Sequence, residues 1–262
     1  MDIQSYQNWF NQFTDQYTNL DTDSEFPLTI KKQHTQRVCE EILFLCHRLN
    51  VSEHAQKLAQ IIALFHDLGR FEQYARYQTF NDSHSINHGI QGIRDLARND
   101  VLANMPLKDR KIICNAIRYH NSAKIPINKD DETLFFIRLI RDADKLDIWR
   151  IFFEYYSTRD SHQSKIIELG VPDLPGYSEN IINALLNGRI ALISDLKTLN
   201  DFKLIQLGWI YDLNFYPSFE RVKKQKIIEN MAALLPKTSQ VETLTHKLID
   251  YRDRHLSSMD MI

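Results

Sequence analysis

The sequence predicts an all-α protein, a helical bundle with additional C-terminal helices. Three observations carry this. Only seven glycines and seven prolines punctuate 262 residues. Apolar residues recur at steps of three and four, as on a helix with one buried face. Alternating strand patterns are hard to find. Hydrophobic residues make up 43% and charged residues 25%, a balance that suits a packed globular core. A formal net charge of −2 gives no basis for general nucleic-acid or membrane-surface binding. Cys39, Cys46 and Cys114 are an odd, widely spaced set inside helical patterns. They argue against a disulfide framework and fit a reducing cytoplasm, the expected location. Met1-Asp2-Ile3-Gln4 lacks the basic and apolar regions of a signal peptide. No apolar run approaches the roughly 18 residues of a membrane span.

Residues 2–19 carry Trp9, Phe10, Phe13 and Tyr17 at helical spacing. Asp21 to Pro27 reads as a polar connector, so residues 1–27 form an N-terminal helix and its link. A second helix runs from Leu28 to about Leu49. Its Val38, Ile42, Leu45 and Leu49 make one stripe, and His34, four residues before Val38, extends it. Ser52 is a good N-cap for a third helix over 53–67. There Leu58, Ile62 and His66 follow one another at steps of four. The plain reading of His66-Asp67 is a polar pair at a helix end, before a glycine cap at Gly69.

Gly69 to Ser83 reads as a loop or short helical turn whose Phe71, Tyr74, Tyr77 and Phe80 serve packing first, with a substrate-facing lid as the alternative. The next helix, about 83–99, places His84 and His88 on one face. Gly92, four residues after His88, leaves room for another element to approach. A helix over 107–121 carries Ile113, then Ala116 or Ile117, then His120 at successive turns. The most apolar helix, about 131–157, holds Asp142, Asp144 and Asp147. Asp144 lies in a stripe with Ile137, Ile140, Ile148 and Ile151, so it is the carboxylate expected to be buried and to need a cation. Arg141 and Lys145 nearby allow a plain salt-bridged reading. Gly170 to Gly176 is the clearest loop. Further helices are expected near 178–187, 189–199, 201–213, 218–234 and 238–256, with a break at Asp212 to Pro217. His162, His246 and His255 have no acidic partner at a ligand spacing. The chain thus divides into 1–27, a central domain at 28–157, and a C-terminal helical extension at 158–262 expected to pack on it.

The metal-ligand types on inward stripes are His34, His66, Asp67 and Asp144, with His88 and His120 beside them. Side chains from facing helices can converge on a metal in a bundle core. Imidazole and carboxylate without thiolate suit Mn, Fe, Co, Ni or Zn.

Three stretches resemble the HD-domain metal-dependent phosphohydrolases. They are His34 in Lys32-Gln33-His34-Thr35-Gln36-Arg37-Val38, the doublet in Leu64-Phe65-His66-Asp67-Leu68-Gly69-Arg70, and Asp144 in Asp142-Ala143-Asp144-Lys145-Leu146-Asp147. The resemblance covers about residues 28–157 and implies an HD-domain bundle. Two-metal members add histidines between the doublet and the last Asp. His88-Gly89-Ile90-Gln91-Gly92 and Ile117-Arg118-Tyr119-His120-Asn121 look like these, which implies one or two divalent transition-metal ions with Asp67 as a bridge. Asn121 stands where some subfamilies have a second His, and no glycine-containing signature follows. That speaks against a cyclic-dinucleotide phosphodiesterase.

The implied activity is hydrolysis of a nucleotide or other small phosphorylated metabolite, as phosphomonoesterase or phosphodiesterase, by metal-activated water attacking phosphorus. Asp67 then has a catalytic role, and Arg70 and Lys145 are candidates for phosphate contacts. Asp142 and Asp147 are candidates for orienting a ligand or a lysine. The alternatives are a di-iron HD-type oxygenase and a non-catalytic metal or ligand sensor. The substrate and the oligomeric state are left open.

Overall fold

The computed structural model describes residues 2–18, 22–158, 168 and 170–257. Among these residues there are helices and no strand, as the sequence predicts. The chain divides into two compact units, Met1–Asp147 and Ile148–Ile262.

The first unit contains α1 (Ile3–Thr18), α2 (Thr22–Arg48), α3 (Glu53–Phe65), α4 (Gly69–Tyr77), α5 (His88–Arg98), α6 (Leu107–Tyr119) and the first part of α7 (Asp131–Thr158). The α2 stripe is as expected: Val38, Ile42 and Leu45 are buried against the same core as Leu58, Ile61 and Ile62 of α3. Ser52 caps α3, its Oγ accepting from the Ala55 N–H. Helix α1 lays Tyr6, Trp9 and Phe10 around Phe65, with Tyr6 and Trp9 edge-on to its ring. The residue preceding His66 is thereby held by aromatic packing.

Helix α2 starts earlier than its sequence suggests, at Thr22, with Pro27 inside it. Proline removes one N–H and crowds the preceding turn. Here it falls little more than one turn into the helix, where few backbone bonds depend on it.

The 69–83 stretch also departs from expectation. Gly69 does not cap α3 but begins α4. Between them, residues 66–68 form one tight turn with bonds to the third residue back: Leu68 N–H to Phe65 O at 3.2 Å and Arg70 N–H to Asp67 O at 2.9 Å. The need for glycine comes from packing. A Cβ on Gly69 would collide with the His88 carbonyl and lie 2.6 Å from the Gly92 nitrogen. Gly92 in turn faces the Gly69 nitrogen, the close approach its sequence position suggests. Gly69→Ala must therefore push α4 and α5 apart. We expect a loss of about 1–3 kcal/mol, the usual range for overpacking, measured by urea unfolding. An unchanged midpoint would show that the joint relaxes freely.

Helix α5 is shorter than predicted. Asp82–His84 form a 3₁₀ turn, and the helix starts at His88 behind an Asn87 cap. His84 is exposed and is not on the α5 face that carries His88. The break arises because the Asn81 and Asn87 side chains each accept a backbone N–H and so end and restart the helical pattern.

The second unit holds the rest of α7, then α8 (Glu179–Leu186), α9 (Leu199–Gly208), α10 (Tyr216–Lys224), α11 (Ile227–Ala233) and α12 (Ser239–Ser257). A reciprocal cap between Thr198 and Asp201 opens α9. The helix expected over 189–199 is only a 3₁₀ turn at Ile193–Asp195, and Leu192 and Ile193 are exposed. The 201–213 helix ends at Gly208 and continues as a 3₁₀ segment, Trp209–Asp212. The 218–234 helix is split at Lys226, which adopts a left-handed conformation with φ of 51°. His246 is exposed and His255 stacks on Phe219, while His162 lies outside the described residues. No helix among the described residues is long and apolar enough to cross a membrane.

Candidate metal centre

Four helix ends and two helix faces build one buried polar centre in the first unit. His34 projects from α2, and Asp144 from α7. Asp144 is only half-buried, and Asp142 and Asp147, rather than Asp144, are the fully buried carboxylates of that helix, because Asp144 faces the centre and Asp147 the packed side of α2. His66 and His120 stand just past the last turns of α3 and α6, and His88 opens α5. Two groups of three result: His34 with His66 and Asp144, and Asp67 with His88 and His120. Within each group the ligand atoms lie within 4.8 Å of one another. All six sequence-derived ligand residues are thus brought together.

The four imidazoles share one design. Each Nδ1 is engaged on the side away from the centre. His66 Nδ1 meets the Ala63 carbonyl and His120 Nδ1 the Ile117 carbonyl, both at 2.7 Å. A carbonyl can only accept, so both rings carry their proton on Nδ1. His34 Nδ1 donates to Asp147 Oδ2 at 2.7 Å, and His88 Nδ1 to Asp82 at 2.8 Å. The Nε2 atoms therefore turn inward with their lone pairs. His34 and His66 present them 3.3 Å apart, and His88 and His120 3.0 Å apart. His34 Nε2 also sits 3.0 Å from Asp144 Oδ1. Nitrogens that face one another and a carboxylate at these distances are held together by a shared proton or by a metal cation. This donor set, fixed in tautomer by outer partners, fits a divalent transition metal.

Asp67 joins the two groups. Its Oδ2 lies 3.8 Å from both His34 Nε2 and His66 Nε2, while its Oδ1 lies 3.2 Å from His88 Nε2 and 3.7 Å from His120 Nε2. One oxygen faces each triad. Burial alone would raise the pKa of this carboxyl, but Lys31, His66 and Arg70 hold it well below the usual carboxylate range. Asp144 is likewise held low against burial by His34 and His66. Burial opposes charge on His34, yet hydrogen bonds to Asp144 and Asp147 outweigh it and raise its pKa. His120 goes the other way. Burial pushes it down to about 4, and neighbouring His88 and His66 add to the effect against Asp67.

Several residues at the site escaped the sequence reading. Lys31 Nζ reaches Asp67 Oδ2 at 2.8 Å and lies 5.4 Å from the Phe80 ring centre. Arg37 clamps Asp147 through Nε at 2.6 Å and Nη2 at 3.1 Å. Both stand one helical turn from His34, three residues to either side, so the α2 face carried a signal for them. Asp82 had none, because it lies in a non-periodic segment. It accepts from His88, Arg70, Gln73 and Asn121, and its pKa falls to about 2, since these partners outweigh burial.

Of the two cations proposed to contact phosphate, Arg70 lies at the centre. Its Nε is 3.4 Å from Asp67 Oδ1, and its Nη1 binds Gln73, the Phe80 carbonyl and Asp82. Its Nη2 takes part in none of these bonds. Lys145 is buried and donates to the Arg141 carbonyl one turn back in α7, at 3.3 Å. Arg141 itself fastens the end of α6, its Nη1 donating to the carbonyls of Tyr119, His120 and Ser122.

A helical bundle that presents two His/Asp triads around a shared aspartate is the frame of a metalloprotein. The family model of the HD domain matches residues 32–149, a span that contains all six ligand residues. Residues 32–149 are thus similar to an HD domain, and HD domains are in general metal-dependent hydrolases. No match was found among curated proteins or among solved structures.

Proposed function

We propose that the protein is a metal-dependent phosphohydrolase acting on a nucleotide or another small phosphorylated metabolite. One observation carries this reading: Asp67 presents an oxygen to each triad and is flanked by Lys31 and Arg70. A metal held by His34, His66 and Asp144, and a second by Asp67, His88 and His120, would lower the pKa of water and neutralise charge on a phosphoryl group. The chain's own residues do the rest. The outer bonds of the four Nδ1 atoms hold each imidazole in one tautomer and orientation. Arg70 offers its unengaged Nη2 to a phosphate oxygen, and Lys31 adds a point charge on the other side of Asp67.

The test is phosphate or nucleoside release from a panel of nucleotides, sugar phosphates and p-nitrophenyl phosphate, with Mn²⁺ or Co²⁺ added. Activity is expected in the wild type and should be abolished by His66→Ala. Persistence of activity in that variant sinks the proposal. The same ligands would also accept a pair of irons for oxidation by O₂. The two cations beside Asp67 favour an anionic phosphoryl substrate and hence hydrolysis. Strict dependence of turnover on oxygen would reverse this preference.

A further inference from the structure

The four imidazoles differ in what fixes them. His66 and His120 are tied to carbonyls three residues back in their own chain. His34 is tied to Asp147, a buried carboxylate on α7 that Arg37 clamps. His88 is held by Asp82, which belongs to the 78–87 segment linking α4 to α5. Asp82 depends on that segment being fastened. Buried Gln73 does this: its Nε2 lies 2.8 Å from each of Asp82 Oδ1, Ser85 Oγ and the Ile86 carbonyl and shares its two N–H groups among them. Arg70 adds bonds to Asp82 and the Phe80 carbonyl, and the Phe80 ring lies against both Arg70 and Lys31. The segment that borders the two cations is therefore also the one that aims His88.

We propose that Asp82 is a positioning residue for the Asp67/His88/His120 triad, and that the 78–87 segment makes this triad the later and weaker of the two to load. This rests on the reading of both triads as metal sites. The His34/His66/Asp144 triad draws its outer support from α2, α3 and α7, and loads independently of the segment. Loss of an outer partner lowers metal affinity about 10- to 100-fold.

The test is titration of the metal-free full chain with Mn²⁺, followed by calorimetry and by the electron paramagnetic resonance signal of free Mn²⁺. The wild type should bind two ions in two resolved events. Asp82→Ala should weaken the second about 10- to 100-fold and leave the first unchanged. Asp82→Asn keeps an oxygen acceptor for the His88 ring and should fall between. Asp147→Ala should weaken the first event instead. Gln73→Ala touches no ligand and should still weaken the second event, which guards against misfolding of the Asp82 variants. Two wild-type ions, with Asp82→Ala and Gln73→Ala binding as the wild type does, overturn the role of Asp82. A wild-type stoichiometry of one, unaffected by His120→Ala, overturns the two-triad reading itself.

Discussion

Asp67→Ala is expected to lower activity by about a thousandfold or more and to impair metal loading at both triads. The reason is geometric. Each of the other ligands serves one triad, whereas Asp67 turns one oxygen to His34 and His66 and the other to His88 and His120. Metal stabilisation of a phosphoryl transition state is worth several kcal/mol, and about 4 kcal/mol corresponds to a thousandfold in rate. The substitution also strips Lys31 of the carboxylate it holds at 2.8 Å, so Lys31 and Arg70 would repel an incoming metal with no anion between them. The measurements are kcat/KM on the best substrate of the panel and metal content by elemental analysis. Wild-type values for both would refute the bridging role.

The metal-free protein is expected to lose about 3 kcal/mol of stability through His120 as the pH falls from 6.5 towards 4. In the folded chain His120 titrates at about 4, and in the unfolded chain near the ordinary 6.5. Between those values the unfolded state binds a proton that the folded state refuses, so stability falls with falling pH. A gap of this size at about 1.4 kcal/mol per pH unit gives the stated loss. His34 has the opposite sign. Its raised pKa adds stability that is fully present below 6.5 and is lost as the pH rises through its folded value. The depressed Asp67 and Asp144 contribute stability that is lost only lower still, below their ordinary 3.8. Urea unfolding of chelator-treated protein between pH 7.5 and 4.5 reads the sum. His120→Gln should flatten the acid limb by about 3 kcal/mol, and an equally steep limb in that variant would exclude His120 as the cause.

The centre was legible in the sequence where helices carry it and hidden where they do not. His34, His66, His120 and Asp144 each occupy a position in an apolar stripe where packing alone calls for Ile or Leu. That incongruity marks a buried polar group needing a partner. Asp67, read with the inward stripes, lies in the turn after α3, and His88, read on a helix face with His84, is the first residue of α5; for both the firmer signal is the doublet and the family resemblance. Asp82 was invisible because its importance comes from donors that converge from α4, α5 and the turn after α6. The same limit affects the fold. Gly69 reads locally as a helix stop, but its role is set by the backbone of α5, nineteen or more residues away in sequence. Lys226 splits a continuous helical pattern through a left-handed conformation that a lysine does not advertise.

The helix ends around Asp67 have an electrical consequence. Helices α3 and α6 finish at the centre with their carbonyl ends, and α4 and α5 begin there with their amide ends. A helix terminus carries about half an elementary charge, negative at the carbonyl end and positive at the amide end, so these four contributions largely cancel. Arg37 neutralises Asp147, and Arg70 neutralises Asp82. Lys31 and Arg70 both reach Asp67, which offsets its charge as well. Two divalent cations held there would leave the centre with a surplus of positive charge in a poorly solvated space. Such a field would draw in a phosphate dianion from solution and would continue to favour it as charge shifts between its oxygens. A neutral ester or amide of similar shape would gain neither benefit, so on the proposed reading the centre would select first on charge and only then on form.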